Sequence, residues 1–262
     1  MHFIRQGRGA PPLVFAHGFA CDHTDWKFQL QGLEKEHEVV ACDLRGHGET
    51  PGRPQECSIE HYGGDVAALT ANLDLPKAIL VGHSMGCRVI LEASRLAPER
   101  VAGLVLVDGS RQGSGSDPAQ AEALARSAIL ATGYEKFAEN VFRQMFLEWS
   151  PLAEAALARL KRMPAETGIA LWTRMVRWDA TELDGALAAV RAPLMVIQST
   201  WINPERKRLP LTEGQSSAWL DLIKSQLPTA VIHVVPGAGH FPQLEAPGRV
   251  NRLLAEFSSR AR

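Results

Sequence analysis

The sequence predicts an α/β protein in which a mostly parallel sheet is flanked by helices and interrupted by a helical insertion. Short apolar runs alternate with longer amphipathic stretches through the first 110 residues, which is the pattern of βαβ units. The runs are near-continuous rather than alternating, as strands covered on both faces must be. After Asp108 the composition turns Ala-rich with apolar residues at helical spacing, and strand patterns return only at Pro193.

Taken in order, the first strands are Leu13–Ala16, Glu38–Cys42, Ala78–Val81 and Val101–Val107. Helices are predicted over Tyr62–Leu73 and Cys87–Leu96, the second stopped by Pro98. Gly109–Pro118, rich in Gly and Ser, reads as an exposed linker. Ala119 to about Val190 then reads as almost pure helix. Strands resume at Pro193–Ile197 and Ala230–Val235, with a helix over Ser217–Leu227 between them and a closing helix from Arg249 to about Phe257. The chain thus divides into a core of residues 1–110 and 191–262 and a helical cap over 111–190. Nothing repeats at a fixed period.

Composition narrows the function classes. The 262 residues carry 28 Lys and Arg against 29 Asp and Glu, a formal charge of -1, which argues against nucleic acid as a partner. No apolar run approaches the ~20 residues needed to span a bilayer, so no membrane association is expected. Met1–Arg5 lacks the apolar segment of a secretory signal, which makes cytoplasmic residence the expectation. Cys21, Cys42, Cys57 and Cys87 show no CxxC spacing and read as small buried hydrophobes. No spacing reads as a zinc site, and no metal or cofactor is expected.

The chemistry concentrates after the third predicted strand. Gly82-His83-Ser84-Met85-Gly86 is a G-x-S-x-G pattern placed between a strand and a helix. Such a nucleophile elbow holds its serine in a strained turn, and small residues two positions to either side let neighbouring backbone approach. The helix that follows offers N–H groups and a positive dipole end beside Ser84 for a developing oxyanion. His240 follows a predicted strand within Gly237-Ala238-Gly239-His240-Phe241-Pro242, at the carboxyl edge of the sheet where open α/β folds place their sites.

With His17-Gly18-Phe19 and Asp43-Leu44-Arg45-Gly46-His47-Gly48 after earlier strands, these motifs in this order resemble the α/β-hydrolase family over essentially the whole chain. The resemblance implies Ser84 as nucleophile, His240 as general base, and an oxyanion hole from the backbone N–H groups of Phe19 and Met85. His17, His47 and His83 belong to family motifs at the same edge and are expected to hold structural hydrogen bonds. Many relatives carry the third member just after the strand matching Met195–Ile197, but Gln198–Pro204 contains no aspartate. Others take it from the end of the preceding strand, where Asp108 stands. Asp108 is therefore the expected acid, which would fix the imidazole tautomer and stabilise the imidazolium. Glu205 is the nearest carboxylate downstream of the usual position and stays open as an alternative.

Trp149, Trp172 and Trp178 and Met145, Met163 and Met175 fall in the insertion. A small helical cap cannot bury so many large side chains within itself, so an apolar pocket is expected, with Trp149, Trp172, Trp178, Trp201 and Phe241 as candidate walls. The basic run Arg206-Lys207-Arg208 reads as a solvated turn, with pairing to a carboxylate-bearing substrate as the other reading.

These features point to a serine hydrolase, a carboxylesterase acting on small or medium, largely apolar esters through an acyl-enzyme. A cofactor-independent ring-cleaving dioxygenase or a C–C bond hydrolase on the same scaffold is the alternative. A non-catalytic small-ligand receptor is disfavoured, because a pure binder has no need of all three groups. The expected partner is a small-molecule ester; the oligomeric state is left open.

Overall fold

The near-continuous apolar runs form strands that lie side by side. The computed structural model describes residues 1–114 and 117–260. Strands β1 (Phe3–Gln6), β2 (Leu13–Ala16), β3 (Val39–Cys42), β4 (Ala78–His83), β5 (Val101–Val107), β6 (Leu194–Gln198) and β9 (Val231–Val234) make one sheet in the order β1-β3-β2-β4-β5-β6-β9. β7 (Thr200–Ile202) and β8 (Arg208–Pro210) form a separate antiparallel hairpin. Within the large sheet only β1 on β3 is antiparallel.

Every residue of β2, β3, β4 and β6 is buried, which explains the missing period-two pattern. Alternate side chains feed two separate cores. Phe15, Ile79, Val105 and Ile197 pack toward helices α1 (Lys27–Leu33) and α11 (Pro247–Arg260). Val14, Leu80, Leu106 and Val196 pack on the other face, with α2 (Ile59–Asn72) and α3 (Met85–Leu96). The remaining helices are α4 (Pro118–Thr132), α5 (Tyr134–Arg143), α6 (Pro151–Leu160), α7 (Ala165–Thr181), α8 (Leu183–Ala188), α9 (Ala218–Gln226) and α10 (Pro242–Glu245).

Two sequence expectations change. Residues 183–188, assigned to the cap, form α8, which packs against α7 of the cap and also against α3 and α9 of the core. The parallel β5-to-β6 crossover needs a covering helix, and α8 is that helix. The supposed exposed linker is also different: Gly109, Ser110 and Gly113 are buried, and a buried ion pair described below holds them. Gly115 and Ser116, in the same predicted linker, lie outside the described residues.

β1 and the β7–β8 hairpin had no sequence signal, being short and partly exposed. All four cysteines are free and buried. Among the described residues no helix is long and apolar enough to cross a membrane.

Candidate active site

Ser84 sits where β4 turns into α3. Its backbone takes φ 53° and ψ -109°, a conformation sparsely populated by residues with a Cβ. The turn is held by the Ser84 N–H, which donates to the Val107 carbonyl at 2.9 Å, extending the β4–β5 ladder one residue past the strand. Gly82 and Gly86 are dictated by contact. A Cβ on Gly82 would lie 2.2 Å from the Gly86 carbonyl oxygen, and one on Gly86 would lie 2.3 Å from the Ala16 carbonyl oxygen. Any larger residue would force the elbow away from β2.

Asp108 follows β5, the strand beside β4, and also has positive φ (45°). This geometry aims its fully buried carboxylate across the end of β6. One oxygen accepts the Ser199 and Thr200 backbone N–H groups, each at 2.9 Å. The other accepts the Thr200 hydroxyl at 2.5 Å and the His240 Nδ1–H at 2.6 Å, and lies 3.5 Å from the Arg208 guanidinium. Burial alone would raise the Asp108 carboxyl. The hydrogen bond from His240, with the charge of Arg208 and the Thr200 hydroxyl, outweighs burial and holds it below the usual carboxylate range.

His240 is itself buried, and its Nε2 has no hydrogen-bond partner within the protein. Burial, reinforced by the charge of Arg208, pushes the ring down to about 4 despite the carboxylate beside it. The pair is thus an ionised aspartate and a neutral imidazole whose tautomer leaves Nε2 free to accept a proton. The loop is pinned on several sides. The His240 N–H donates to the Met145 carbonyl at 2.6 Å, and its own carbonyl accepts from His83 Nε2 at 2.7 Å. Glu245 accepts the Gly239 and Phe241 N–H groups at 3.0 and 3.2 Å.

Met85 follows Ser84 directly, and the loop that carries Phe19 lies against the elbow, where a Cβ on Gly18 would stand 3.3 Å from the Ser84 Cβ. The Met85 N–H, at the first position of α3, has no intrahelical carbonyl to meet, and no protein acceptor takes the Phe19 N–H among the described residues. The motif histidines hold this corner rigid. His17 Nε2 accepts the Leu44 N–H at 3.0 Å and His47 Nε2 accepts the Ala20 N–H at 3.2 Å, tying the Phe19 loop to the Asp43–Gly48 turn. Burial lowers both rings, so both stay neutral acceptors.

Ser84, His240 and Phe19 open into a cavity of about 670 Å³ under α4, α5 and α7. Two of the five candidate walls line it, Trp172 and Phe241. Trp172 meets the rings of Phe19 and Phe137 edge-on, each at 5.2 Å, and Phe241 stacks on Phe146 at 4.9 Å. The other three lie elsewhere among the described residues. Trp178 is fully buried in the core, Trp201 packs half-buried on β7, and Trp149 is 46% exposed beneath the Arg143 guanidinium. Composition marked them as large and apolar but could not say that Trp178 would take the buried face of α7, Trp149 the connection between α5 and α6, and Trp201 the β7–β8 hairpin.

Two arginines near the site had no sequence signal for their roles. Arg88, one turn after Ser84, is buried and donates to both Asp179 oxygens at 2.6 Å, to the Ser110 carbonyl at 2.6 Å and to the Ser84 carbonyl at 3.3 Å. Asp179 on α7 also accepts the Gln112 N–H at 2.5 Å. This cluster is what folds 109–113 inward. Arg208 leaves the predicted solvated run entirely: its side chain is 9% exposed and it donates to Thr200 Oγ1 at 2.7 Å. Glu205, the alternative acid, is exposed on the hairpin turn, and Asp108 is the carboxylate on the His240 ring.

A family model described as the alpha/beta hydrolase family matches residues 13–253. The chain belongs to that family. A dihydrolipoyllysine-residue acetyltransferase component of an acetoin cleaving system from Pseudomonas putida is 30% identical over 96% of this chain; the chain spans 64% of that protein's length. A putative 2-succinyl-6-hydroxy-2,4-cyclohexadiene-1-carboxylate synthase from Bacillus subtilis is 26% identical, covering 94% of this chain and 89% of that one. Among solved structures, an esterase from Thermogutta terrifontis superposes with a TM-score of 0.79 at 26% identity, over 99% of this chain and 93% of that one. These relatives differ in the activities named for them, so substrate has to be argued from this site.

One further grouping in this alpha/beta hydrolase was invisible in the sequence. His2, His23 and Asp43 place possible metal-ligand atoms within 4.8 Å of one another, away from the cavity lining. The Asp43 oxygens accept the His23 backbone and ring N–H groups at 2.7 and 2.9 Å and the Glu49 N–H at 2.9 Å, so they already fasten the turn that His47 braces.

Proposed function

We propose that the protein is a serine hydrolase that cleaves carboxylic esters of small or medium size through an acyl-enzyme on Ser84. The observation that carries this reading is the geometry of the buried pair: His240 with Nδ1 on Asp108 at 2.6 Å and Nε2 unpartnered, in the cavity that also receives the strained Ser84. In this scheme His240 Nε2 takes the proton from the Ser84 hydroxyl as the serine oxygen bonds to the ester carbonyl carbon. The Phe19 and Met85 N–H groups receive the oxyanion. Collapse breaks the bond to the alcohol, which leaves with the proton from Nε2. Water then repeats the sequence on the acyl-enzyme, releasing the carboxylic acid and restoring Ser84. Asp108 stays ionised throughout and stabilises the imidazolium.

The arrangement favours ester cleavage over oxygenation, because the elbow presents a hydroxyl nucleophile with unoccupied N–H donors beside it. The test is hydrolysis of short-chain p-nitrophenyl esters with stoichiometric labelling by a fluorophosphonate. The expected result is turnover and modification at Ser84, both abolished in Ser84→Ala. Oxygen uptake with hydroxyquinolone-type substrates that survives Ser84→Ala would overturn the reading.

A further inference from the structure

The cavity above Ser84 is lined by three arginines, Arg88, Arg206 and Arg208, and by no carboxylate among the described residues. Two of the three are answered from behind the lining. Arg88 is held by both oxygens of Asp179, and Arg208 lies 3.5 Å from the buried Asp108. His240 is neutral and adds no charge to the balance. Arg206 differs: it stands exposed on the hairpin turn at the rim of the cavity, no salt bridge reaches it among the described residues, and its guanidinium donates only to Gln112, to Oε1 at 2.5 Å and to the carbonyl at 3.4 Å. One positive charge at the cavity rim is therefore without a carboxylate partner among the described residues, while Leu124, Ala128, Val141 and Val176 make much of the remaining lining apolar.

We infer that the substrate is an acyl compound bearing one carboxylate remote from the scissile carbonyl, with Arg206 holding that carboxylate and the apolar lining holding the carbon chain. This rests on the serine hydrolase reading above and sharpens its substrate class. A planar guanidinium with free N–H groups matches a carboxylate bidentately. A single unanswered charge suits a monoanion, since a dianion would import a second charge with no partner. The near-zero net charge of the chain supplies no long-range field, so discrimination has to come from this local contact.

The experiment compares p-nitrophenyl hexanoate with the mono-p-nitrophenyl ester of adipic acid, and the octanoate with the suberate monoester, so that each pair differs only in a terminal methyl or carboxylate. For the full chain, kcat/KM should favour the monoanion by roughly tenfold or more in at least one pair, as a charge-assisted hydrogen bond supplies. That ratio should collapse toward one in Arg206→Gln, persist in part in Arg206→Lys, and fall with added salt. Equal or better use of the neutral ester in both pairs overturns the inference, as does a ratio that Arg206→Gln leaves unchanged. In either case cleavage of the neutral esters keeps the hydrolase reading standing. If no ester is cleaved and fluorophosphonate leaves Ser84 unmodified, both fall together.

Discussion

Removing the Asp179 carboxylate should loosen the elbow through Arg88. The two side chains are 0% and 3% exposed, so the pair is withdrawn from water and the partner left behind cannot be resolvated without opening the structure. Breaking a buried pair by deleting one member costs about 3–5 kcal/mol. In a chain of this size each kcal/mol moves Tm by about 2–4 °C, so Asp179→Leu should lower Tm by roughly 6–20 °C. Arg88→Met/Asp179→Leu should recover part of that loss, because it removes the unpaired buried charge while still leaving the Gln112 N–H and the Ser110 carbonyl without their partners. The assay is urea and thermal denaturation of the wild type, both single variants and the double variant, giving a coupling energy from the cycle. Turnover should fall further than the population of folded protein in Asp179→Leu, since Arg88 also donates to the Ser84 carbonyl at 3.3 Å. A loss under about 1 kcal/mol in Asp179→Leu, or a double variant no more stable than that single one, would refute the reasoning.

Three other outcomes are expected. Asp108→Asn should cut kcat by about three to four orders of magnitude with the fold retained on circular dichroism, whereas Glu205→Gln on the exposed turn should stay within about twofold. The acid limb of kcat/KM should lie well below the ordinary histidine range, because burial and then Arg208 push His240 down to about 4; Arg208→Gln should move that limb upward, and an unmoved limb would show that Arg208 does not act on the ring. The same titration destabilises the fold as pH falls from about 6.5 toward about 4, because the unfolded chain takes up a proton that the buried neutral ring refuses, and urea midpoints across that interval measure it. Gly86→Ala should yield little folded protein, since its Cβ would stand 2.3 Å from the Ala16 carbonyl oxygen; wild-type stability in that variant would mean that the elbow is looser than described.

The sheet was legible because β2 to β6 consist of apolar runs too short for helices and too continuous for one-sided strands. The elbow was legible because close approach restricts residues 82 and 86 to glycine, which leaves a mark in any single sequence. Other features leave no such mark. β1 is a half-exposed edge strand of four residues whose partner β3 lies more than thirty positions away. The inward fold of 109–113 is decided by Asp179, which is 67 residues beyond Gln112 and looks like any helical aspartate. Arg208 reads as surface charge because burial of an arginine is visible only when its acceptors, Thr200 and Asp108, have been placed. Trp149 and Trp178 are equally apolar in the sequence and end up on opposite sides of the solvent boundary, since Trp178 lies on the buried face of α7 whereas Trp149 falls in the connection between α5 and α6.

The position of the acid and the composition of the neighbouring turn explain one another. A carboxylate with no solvent contact stays ionised only when its oxygens are met by donors, and Asp108 receives two backbone N–H groups, a hydroxyl and the His240 ring, with Arg208 close by. Three of those donors come from Ser199 and Thr200, at the end of β6. A second aspartate there would face Asp108 across a buried gap, and two carboxylates so close cannot both remain ionised. One would hold a proton and compete with His240 for the shared charge. A buried carboxylate after β5 therefore requires the β6 turn to be a donor surface, and Gln198-Ser199-Thr200 is one: backbone N–H groups, a hydroxyl on Asp108, and Gln198 Nε2 bonded to the Gly109 and Thr200 carbonyls at 2.8 Å. The missing aspartate in that turn is thus the counterpart of Asp108, and the arginine on the following hairpin completes the same requirement for positive charge.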